Sequence, residues 1–123
     1  MTTEETEKDA IGQVVRRYVQ GMLAADEMAL RQAFHPECKI IGHFQGSLEW
    51  MSLDDFIGEI NQAGPAAADT QPYLDIGYID VTGDAASLKV VDDFAGLRFT
   101  DYLSLLKIDG RWTIINKLYY VHG

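Results

Sequence analysis

The sequence predicts an α+β protein in which helices pack on one side of a mostly antiparallel sheet. Apolar residues recur at helical spacing in the first quarter of the chain, and four strand-like runs fill the second half. The links between these runs are short, so neighbouring strands should be antiparallel and form a meander. Helices followed by an antiparallel sheet is the α+β arrangement. At 123 residues, the chain is predicted to form one domain, residues 1–123.

The first two helices are predicted from an apolar stripe and from their end signals. Apolar residues recur three and one apart between Ile11 and Leu23, and Thr2 with Glu5 has the spacing of a capping box ahead of them. Asp26 is expected to cap a second, short helix. Pro36 should end it, because proline disfavours helical geometry in the residue before it.

The middle of the chain should contain a strand and a third helix. The β-branched run "CKIIGHF", residues 38–44, predicts a strand, and "QGSLEW", residues 45–50, predicts a turn followed by a return strand or a loop. Ser52 with Asp55 marks the start of the third helix. Its inner face is expected to comprise Leu53, Phe56, Ile57 and Ile60.

Four strands are predicted at residues 73–81, 86–94, 97–108 and 111–121. The turns "TGD" and "IDGR" between them contain the glycine that tight hairpins need. The last two strands are apolar on both faces, whereas a sheet covered by helices on one side would be polar on the other. A second cover is therefore expected, and we predict a homodimer formed through the outer face of the sheet.

Composition narrows the classes of partner and compartment. The formal net charge of −9 disfavours nucleic acid and anionic membrane surfaces as partners. A single cysteine excludes an internal disulfide, and no apolar run approaches the roughly 20 residues that span a bilayer. The protein is predicted to be cytoplasmic. No phosphate-binding loop or metalloenzyme motif occurs, so no cofactor is predicted.

The order of the elements resembles the nuclear transport factor 2-like (NTF2-like) fold, a cone with an open mouth. Residues 14–40, "VVRRYVQGMLAADEMALRQAFHPECKI", resemble the start of ketosteroid isomerases and polyketide cyclase-like enzymes. The whole chain, including "GHFQGSLEW", "RFTDYLSLLKIDGRW" and "INKLYY", is still more similar to the family called putative lumazine-binding. The resemblance implies three N-terminal helices on a strongly curved sheet around a pocket. It does not fix a function, because this fold hosts isomerases, dehydratases, cyclases and binding proteins.

The resemblance to the isomerases implies a role for only one residue. Tyr18 falls where those enzymes have their oxyanion-binding tyrosine, eight residues before Asp26. Their general base would fall near Gly42 and their second acid near Ser104. Neither residue is an acid, so carboxylate-driven isomerisation from these positions is not implied.

The stretch "FHPECKIIGHF" contains four residue types that bind metals: His35, Glu37, Cys38 and His43. Cys38 and His43 are five apart on a strand and should face opposite sides, unless Gly42 forms a bulge. No metal site is therefore predicted, and His35 is expected to bond the last carbonyls of the second helix. With a bulge, His43 would be an acid or base at the mouth of the cone. Without one, it would lie in the dimer contact.

The adjacent acids Asp92 and Asp93 must face opposite ways, so one points inward. With Leu88 and Val90 packed inside, Asp92 is the inward one. Inside a cone it would either be a carboxyl with a raised pKa, as catalytic acids are, or be bonded to a neighbour such as Tyr102, Arg98 or Asn116.

Three further residues raise the same question of which face they lie on. Asp101 is expected at the subunit boundary, with Arg98 or Lys117 as a partner. Of the neighbours Asn116 and Lys117, Asn116 is predicted to face inward beside Trp112 and Ile114.

Two aromatic residues each have two possible roles. Tyr18 is either a core tyrosine or a donor aimed into a pocket, and Trp50 is either a lid or floor for a ligand or part of the core.

These residues favour a small-molecule-binding protein whose ligand is apolar or aromatic. A cofactor-free isomerase, dehydratase or cyclase is the alternative, with Asp92 or His43 as acid or base and Tyr18 as oxyanion donor. A dimeric interaction module with a filled interior is a third hypothesis. The side chains expected to line the pocket are Tyr18, Phe34, Ile40, Trp50, Phe56, Asp92, Phe94, Tyr102 and Asn116.

Overall fold

Three helices cover one face of a six-stranded sheet in the computed structural model, which describes residues 3–123. The helices are α1 (Thr3–Ala24), α2 (Glu27–Ala33) and α3 (Leu53–Ala63). The strands are β1 (Phe34–Phe44), β2 (Ser47–Met51), β3 (Leu74–Thr82), β4 (Ala85–Phe94), β5 (Leu97–Ile108) and β6 (Arg111–His122). The predicted α+β class and the predicted helix order are confirmed. No helix in the described range is long and apolar enough to cross a membrane.

The strands lie in the order β2-β1-β6-β5-β4-β3. The last four strands form the predicted meander, and β1 pairs antiparallel with β2 but parallel with β6. The segment after residue 44 is therefore a return strand. β1 begins at Phe34 and not at Cys38 as predicted, because the backbone of Phe34 is already extended.

The helices begin where the sequence indicates. The Asp26 side chain accepts a hydrogen bond from the Ala29 N–H at 3.2 Å, and Ser52 with Asp55 forms a reciprocal capping box. The predicted box of Thr2 with Glu5 falls on Thr2, which lies outside the described residues. α1 is fastened to the sheet by Glu7, which binds Lys107 of β5 at 2.8 Å.

A β-bulge in β6 reverses the alternation of its side chains. Ser104 pairs with Asn116 and Leu105 with Ile114, so Ile115 is an extra residue in β6. Before the bulge, Trp112 and Ile114 are buried against the helices. After it the buried residues are Lys117 and Tyr119. The prediction that Asn116 faces inward is wrong for this reason.

The outer face of the sheet exposes a row of large apolar side chains. Pairing registers align Trp50, Leu118 and Tyr102 across four strands, and their exposed fractions are 65%, 47% and 42%. Tyr78 and Tyr120, at 46% and 62%, extend the patch. A contiguous apolar surface of this kind is typical of an interface. The homodimer remains a prediction, and this patch is the surface it would use.

Replacing Leu118 with glutamate tests that interface. The wild-type protein is expected to be a dimer in light-scattering chromatography, and Leu118→Glu a monomer, because two charges would be buried at the centre of the contact. Gln13→Glu, on the exposed side of α1, adds the same charge elsewhere and should leave the dimer intact. A monomeric wild-type protein would contradict the prediction.

Candidate functional site

A cavity of about 400 Å³, partly open to solvent, lies between α3 and the inner face of the sheet. Its wall is mostly apolar, and the ionisable side chains in it come from β2, α3, β4 and β6. The lining residues are Met22, Ile40, Phe44, Glu49, Met51, Phe56, Glu59, Ile60, Gln62, Ala63, Asp92, Phe94, Ala95, Leu97, Phe99, Lys117 and Tyr119.

Asp92 faces this cavity from β4 and is completely buried. Leu88 and Val90 precede it on the same side of the strand, so the predicted inward orientation is correct. No N–H group and no neutral hydroxyl of the described residues bonds either carboxylate oxygen, and the carboxyl of Asp101 lies within hydrogen-bonding reach of Asp92. The alternative of a structural bond to Tyr102, Arg98 or Asn116 is therefore wrong. Arg98 instead binds Asp93 on the outer face, at 2.8 and 3.1 Å.

Burial raises the pKa of Asp92 to about 8. The negative charge of Asp101 adds to the increase, and the positive charge of Lys117 opposes it. A carboxyl group with such a pKa exchanges its proton near neutral pH, as a general acid or base must.

Asp101 and Tyr18 form a buried pair beside Asp92. The Tyr18 hydroxyl donates to Asp101 Oδ2 at 2.8 Å, and Asp101 Oδ1 has no partner in the described chain. Burial, together with Asp101 and Asp92, raises the pKa of Tyr18. Asp101 was expected at the outer face. It lies inside because it alternates in step with the inward residues Phe99 and Leu103, which leaves Tyr102 outside.

Lys117 is the group that sequence reasoning placed on the wrong face. It is only 4% exposed, and its Nζ lies 4.6 Å from the ring centroid of Phe56 and 5.0 Å from that of Tyr18. The rings of Tyr119 and Phe99 follow at 5.7 and 6.0 Å. Such an arrangement stabilises a cation by cation–π attraction. The sequence indicated only that one of the two neighbours, Asn116 or Lys117, faces inward.

Tyr119, Gly42 and Glu49 lie in one row across β6, β1 and β2. The Tyr119 ring crosses Gly42, and its hydroxyl donates to Glu49. Burial and that bond raise the pKa of Tyr119. Burial and the neighbouring Glu49 raise the pKa of Glu59, which lines the same cavity. Gly42, where the resemblance would place an isomerase base, is thus covered by an aromatic ring.

Several predicted lining residues do not reach the cavity. His43, Trp50 and Tyr102 are exposed on the outer face: β1 and β2 pair regularly from Ile40 to Phe44, so Gly42 makes no bulge. Phe34 lies behind the wall, in ring contact with Tyr18 and Phe56. Of the predicted set, Ile40, Phe56, Asp92 and Phe94 line the cavity, and Tyr18 is buried next to it.

The residues of the opening cluster are also separated. Cys38 is buried, and burial raises the pKa of its thiol to about 11, whereas His43 is exposed. His35 accepts a hydrogen bond at Nδ1 from the Glu37 N–H at 3.0 Å. The expected bond from His35 to helix carbonyls is therefore wrong, since the chain is already a strand at that point.

Residues 6–120 match the family described as "Putative lumazine-binding". The match spans nearly the whole chain, so the protein belongs to this family. The fold is NTF2-like, as the resemblance implied, and similar solved structures carry that description.

Two solved structures and one curated protein illustrate the relationship. An NTF2-like protein of unknown function from Silicibacter pomeroyi is 38% identical, with a TM-score of 0.92 over 99% of this chain and 100% of the other. One from Shewanella baltica is 31% identical, with a TM-score of 0.88 over 100% and 99%. "Aldolase FrzH" from Cladobotryum sp is 25% identical over 94% of this chain and 91% of its own length.

Gly42→Ala should destabilise the protein. A Cβ atom there would lie 2.6 Å from the Tyr119 backbone oxygen and 2.8 Å from its ring. Relieving that overlap should lower the free energy of unfolding in urea by about 1–3 kcal/mol. Gly58→Ala is the control, because nothing lies near its Cβ position; in a helix it should stabilise by up to about 1 kcal/mol. Equal effects of the two substitutions would contradict the packing described.

Asp92→Asn should change how stability depends on pH. The pKa of Asp92 rises on folding from 3.8 to about 8. The folded state therefore binds more protons between these values, and wild-type stability should fall as pH rises through that window. At about pH 9, Asp92→Asn should be more stable than wild type by about 2 kcal/mol or more. Below pH 3.8 the gain should vanish.

The exposed Asp80 of β3 provides the matched control, and Asp80→Asn should show no such pH-dependent difference in urea unfolding. If Asp92→Asn were stabilising by the same amount at both ends of the pH range, the raised pKa would be refuted.

Proposed function

We propose that the cavity binds a small, mostly apolar organic molecule. Its volume of about 400 Å³ is in the range of sites for compounds of this kind, which combine an apolar wall with a few polar groups. The aromatic rings of Phe56, Phe94 and Phe99 supply flat apolar surface in that wall. A filled interior, the third hypothesis from the sequence, does not agree with a space of this size.

The observation that carries the proposal is the buried carboxyl group of Asp92 in the cavity wall. A polar group removed from water costs free energy unless a partner satisfies it, and nearly all such groups in proteins have one. Within the described chain Asp92 has the carboxyl of Asp101 as a hydrogen-bonding neighbour, and one shared proton leaves oxygen lone pairs unsatisfied beside a space that a guest can enter. When protonated, its O–H can donate to a carbonyl oxygen or a ring nitrogen of the ligand.

Proton transfer to or from the bound molecule is the second candidate function, and the raised pKa of Asp92 favours it. A group with a pKa of about 8 is present in both protonation states near neutral pH, so it can act as acid and as base without a cofactor. Tyr18 and Asp101 would support Asp92, since the Asp101 charge helps to raise its pKa. The similarity to a protein named an aldolase agrees with proton transfer next to a carbonyl group.

This assignment modifies the role expected for Tyr18. Its hydroxyl is bonded to Asp101, so an oxyanion in the cavity would have to displace that bond. Asp92 lines the cavity, whereas Tyr18 is buried behind its wall. His43, the other acid or base expected from the sequence, lies on the opposite face of the sheet.

A thermal-shift screen of small aromatic ketones and heteroaromatic compounds tests the proposal. Binding should raise the unfolding midpoint of the wild-type protein in proportion to ligand concentration. Asp92→Leu, which has a similar size and no donor, should weaken ligands that accept the Asp92 hydrogen bond by about tenfold, the value of one such bond. Asp80→Leu should leave affinity unchanged.

Failure of every compound to raise the midpoint would contradict small-molecule binding. Equal affinity for wild type and Asp92→Leu, titrated at about pH 6 where the acid is protonated, would leave binding in place but remove Asp92 from it.

A further inference from the structure

We propose that Lys117 is a nucleophile that captures a carbonyl compound, a mostly apolar aldehyde or ketone, as a protonated imine within the cavity. This inference rests on the proposed function, because it takes the same cavity as the binding site and names the chemical class of its ligand. Primary amines in apolar sites are the groups with which proteins form imines.

The position of Lys117 separates it from the other lysines. Lys8 and Lys107 are bound to glutamates of α1, Lys39 is exposed on the outer face of β1, and Lys89 is half-buried on the outer face of β4. Lys117 lies inside, where its Nζ makes no hydrogen bond or ion pair to any described residue and lies among aromatic rings. Of the lysines, it is the one that borders the cavity. An apolar carbonyl compound that enters would meet this amine.

Two carboxyl groups share the inner face of the sheet with the amine and form no ion pair with it. Asp101 pairs with Val90 of β4 and with Tyr119 of β6, so Asp92 and Lys117 lie two residues from its level, in opposite directions along the strands. The Lys117 charge acts on Asp92, and both side chains border the same cavity. The cavity thus has an amine in its wall together with a carboxyl group that can exchange protons through it.

The step balances without any further reactant. The ammonium group of Lys117 gives one proton to the Asp92 carboxylate, and its nitrogen then forms a bond to the carbonyl carbon as the C=O electron pair moves to oxygen. Asp92 returns the proton to that oxygen, giving a carbinolamine. A second proton moves from nitrogen through Asp92 to the hydroxyl group, which leaves as water. The products are one protonated imine and one water molecule.

The aromatic rings around Lys117 stabilise both the starting ammonium group and the imine product. The ammonium group and the protonated imine each carry one positive charge, and the rings around Nζ attract either by cation–π interaction. A protonated imine also withdraws electrons from the neighbouring carbon, so a proton can be removed from it by the Asp92 carboxylate. Bond-forming reactions at that carbon would therefore be the chemistry of the site.

Reductive trapping tests the proposal. The full chain is incubated with benzaldehyde and sodium cyanoborohydride, which reduces protonated imines to stable amines, and the product is analysed by intact mass and peptide mapping. We expect one benzyl group per chain, on Lys117, formed at least about tenfold faster than on Lys39, because binding in the cavity raises the effective concentration of the aldehyde. Asp92→Asn should slow this labelling by about 10²-fold or less.

Matched variants distinguish the outcomes. Lys117→Met and Lys117→Arg should both lose the rapid labelling, and Lys39→Met should keep it; two replacements at 117 guard against one that fails to fold. If benzaldehyde raises the unfolding midpoint but Lys117 is not labelled, the imine is refuted and binding in the cavity stands. If it neither raises the midpoint nor labels Lys117, the imine is refuted, and the screen of ketones and heteroaromatic compounds decides whether the cavity binds small molecules. Equal labelling of Lys39 and Lys117 would also overturn the inference.

Discussion

The bulge at Ile115 is the constraint on which the content of the cavity depends. One extra residue in β6 exchanges the two faces of the strand, so that Lys117 and Tyr119 turn inward where Asn116 and Leu118 would otherwise lie. Without the bulge, the cavity would have no amine, and Glu49 would lose its hydrogen bond from the Tyr119 hydroxyl. The outer face would lose Leu118 from its apolar row. A local irregularity of one residue thus decides the character of both faces.

The ionisable groups inside are costly for the fold. Asp92, Asp101 and Lys117 are almost entirely removed from water, and within the described chain the one hydroxyl that donates to them is that of Tyr18, to Asp101. Desolvation of this kind is destabilising, and apolar residues of similar size would usually pack better. Such uncompensated groups are typical of functional sites, where stability is given up for reactivity. The raised pKa of Asp92 is the direct result of that environment.

The sheet separates two kinds of surface. Its inner face, under α1 and α3, surrounds a cavity with ionisable groups, and its outer face carries large exposed side chains such as Trp50 and Tyr120. The strands are apolar on both sides because each side packs against a different cover. Helices and ligand would cover one side, and a second copy of the chain is the cover proposed for the other. Because adjacent residues in a strand face opposite ways, substitutions one position apart can affect separate functions.

The sequence by itself determined the fold class, the helix starts and the inward direction of Asp92, because these follow from local patterns: Asp26 and Ser52 as caps, and the regular alternation of β4. It did not determine the faces of residues 116 and 117 or of Asp101 and Tyr102. Those strands are apolar on both sides, so alternation gives no direction, and the position of a bulge depends on the pairing register with the neighbouring strand. Only the tertiary structure decided that Lys117 shares a face with Asp92 and Asp101, since this follows from the registers of the consecutive strands β4, β5 and β6.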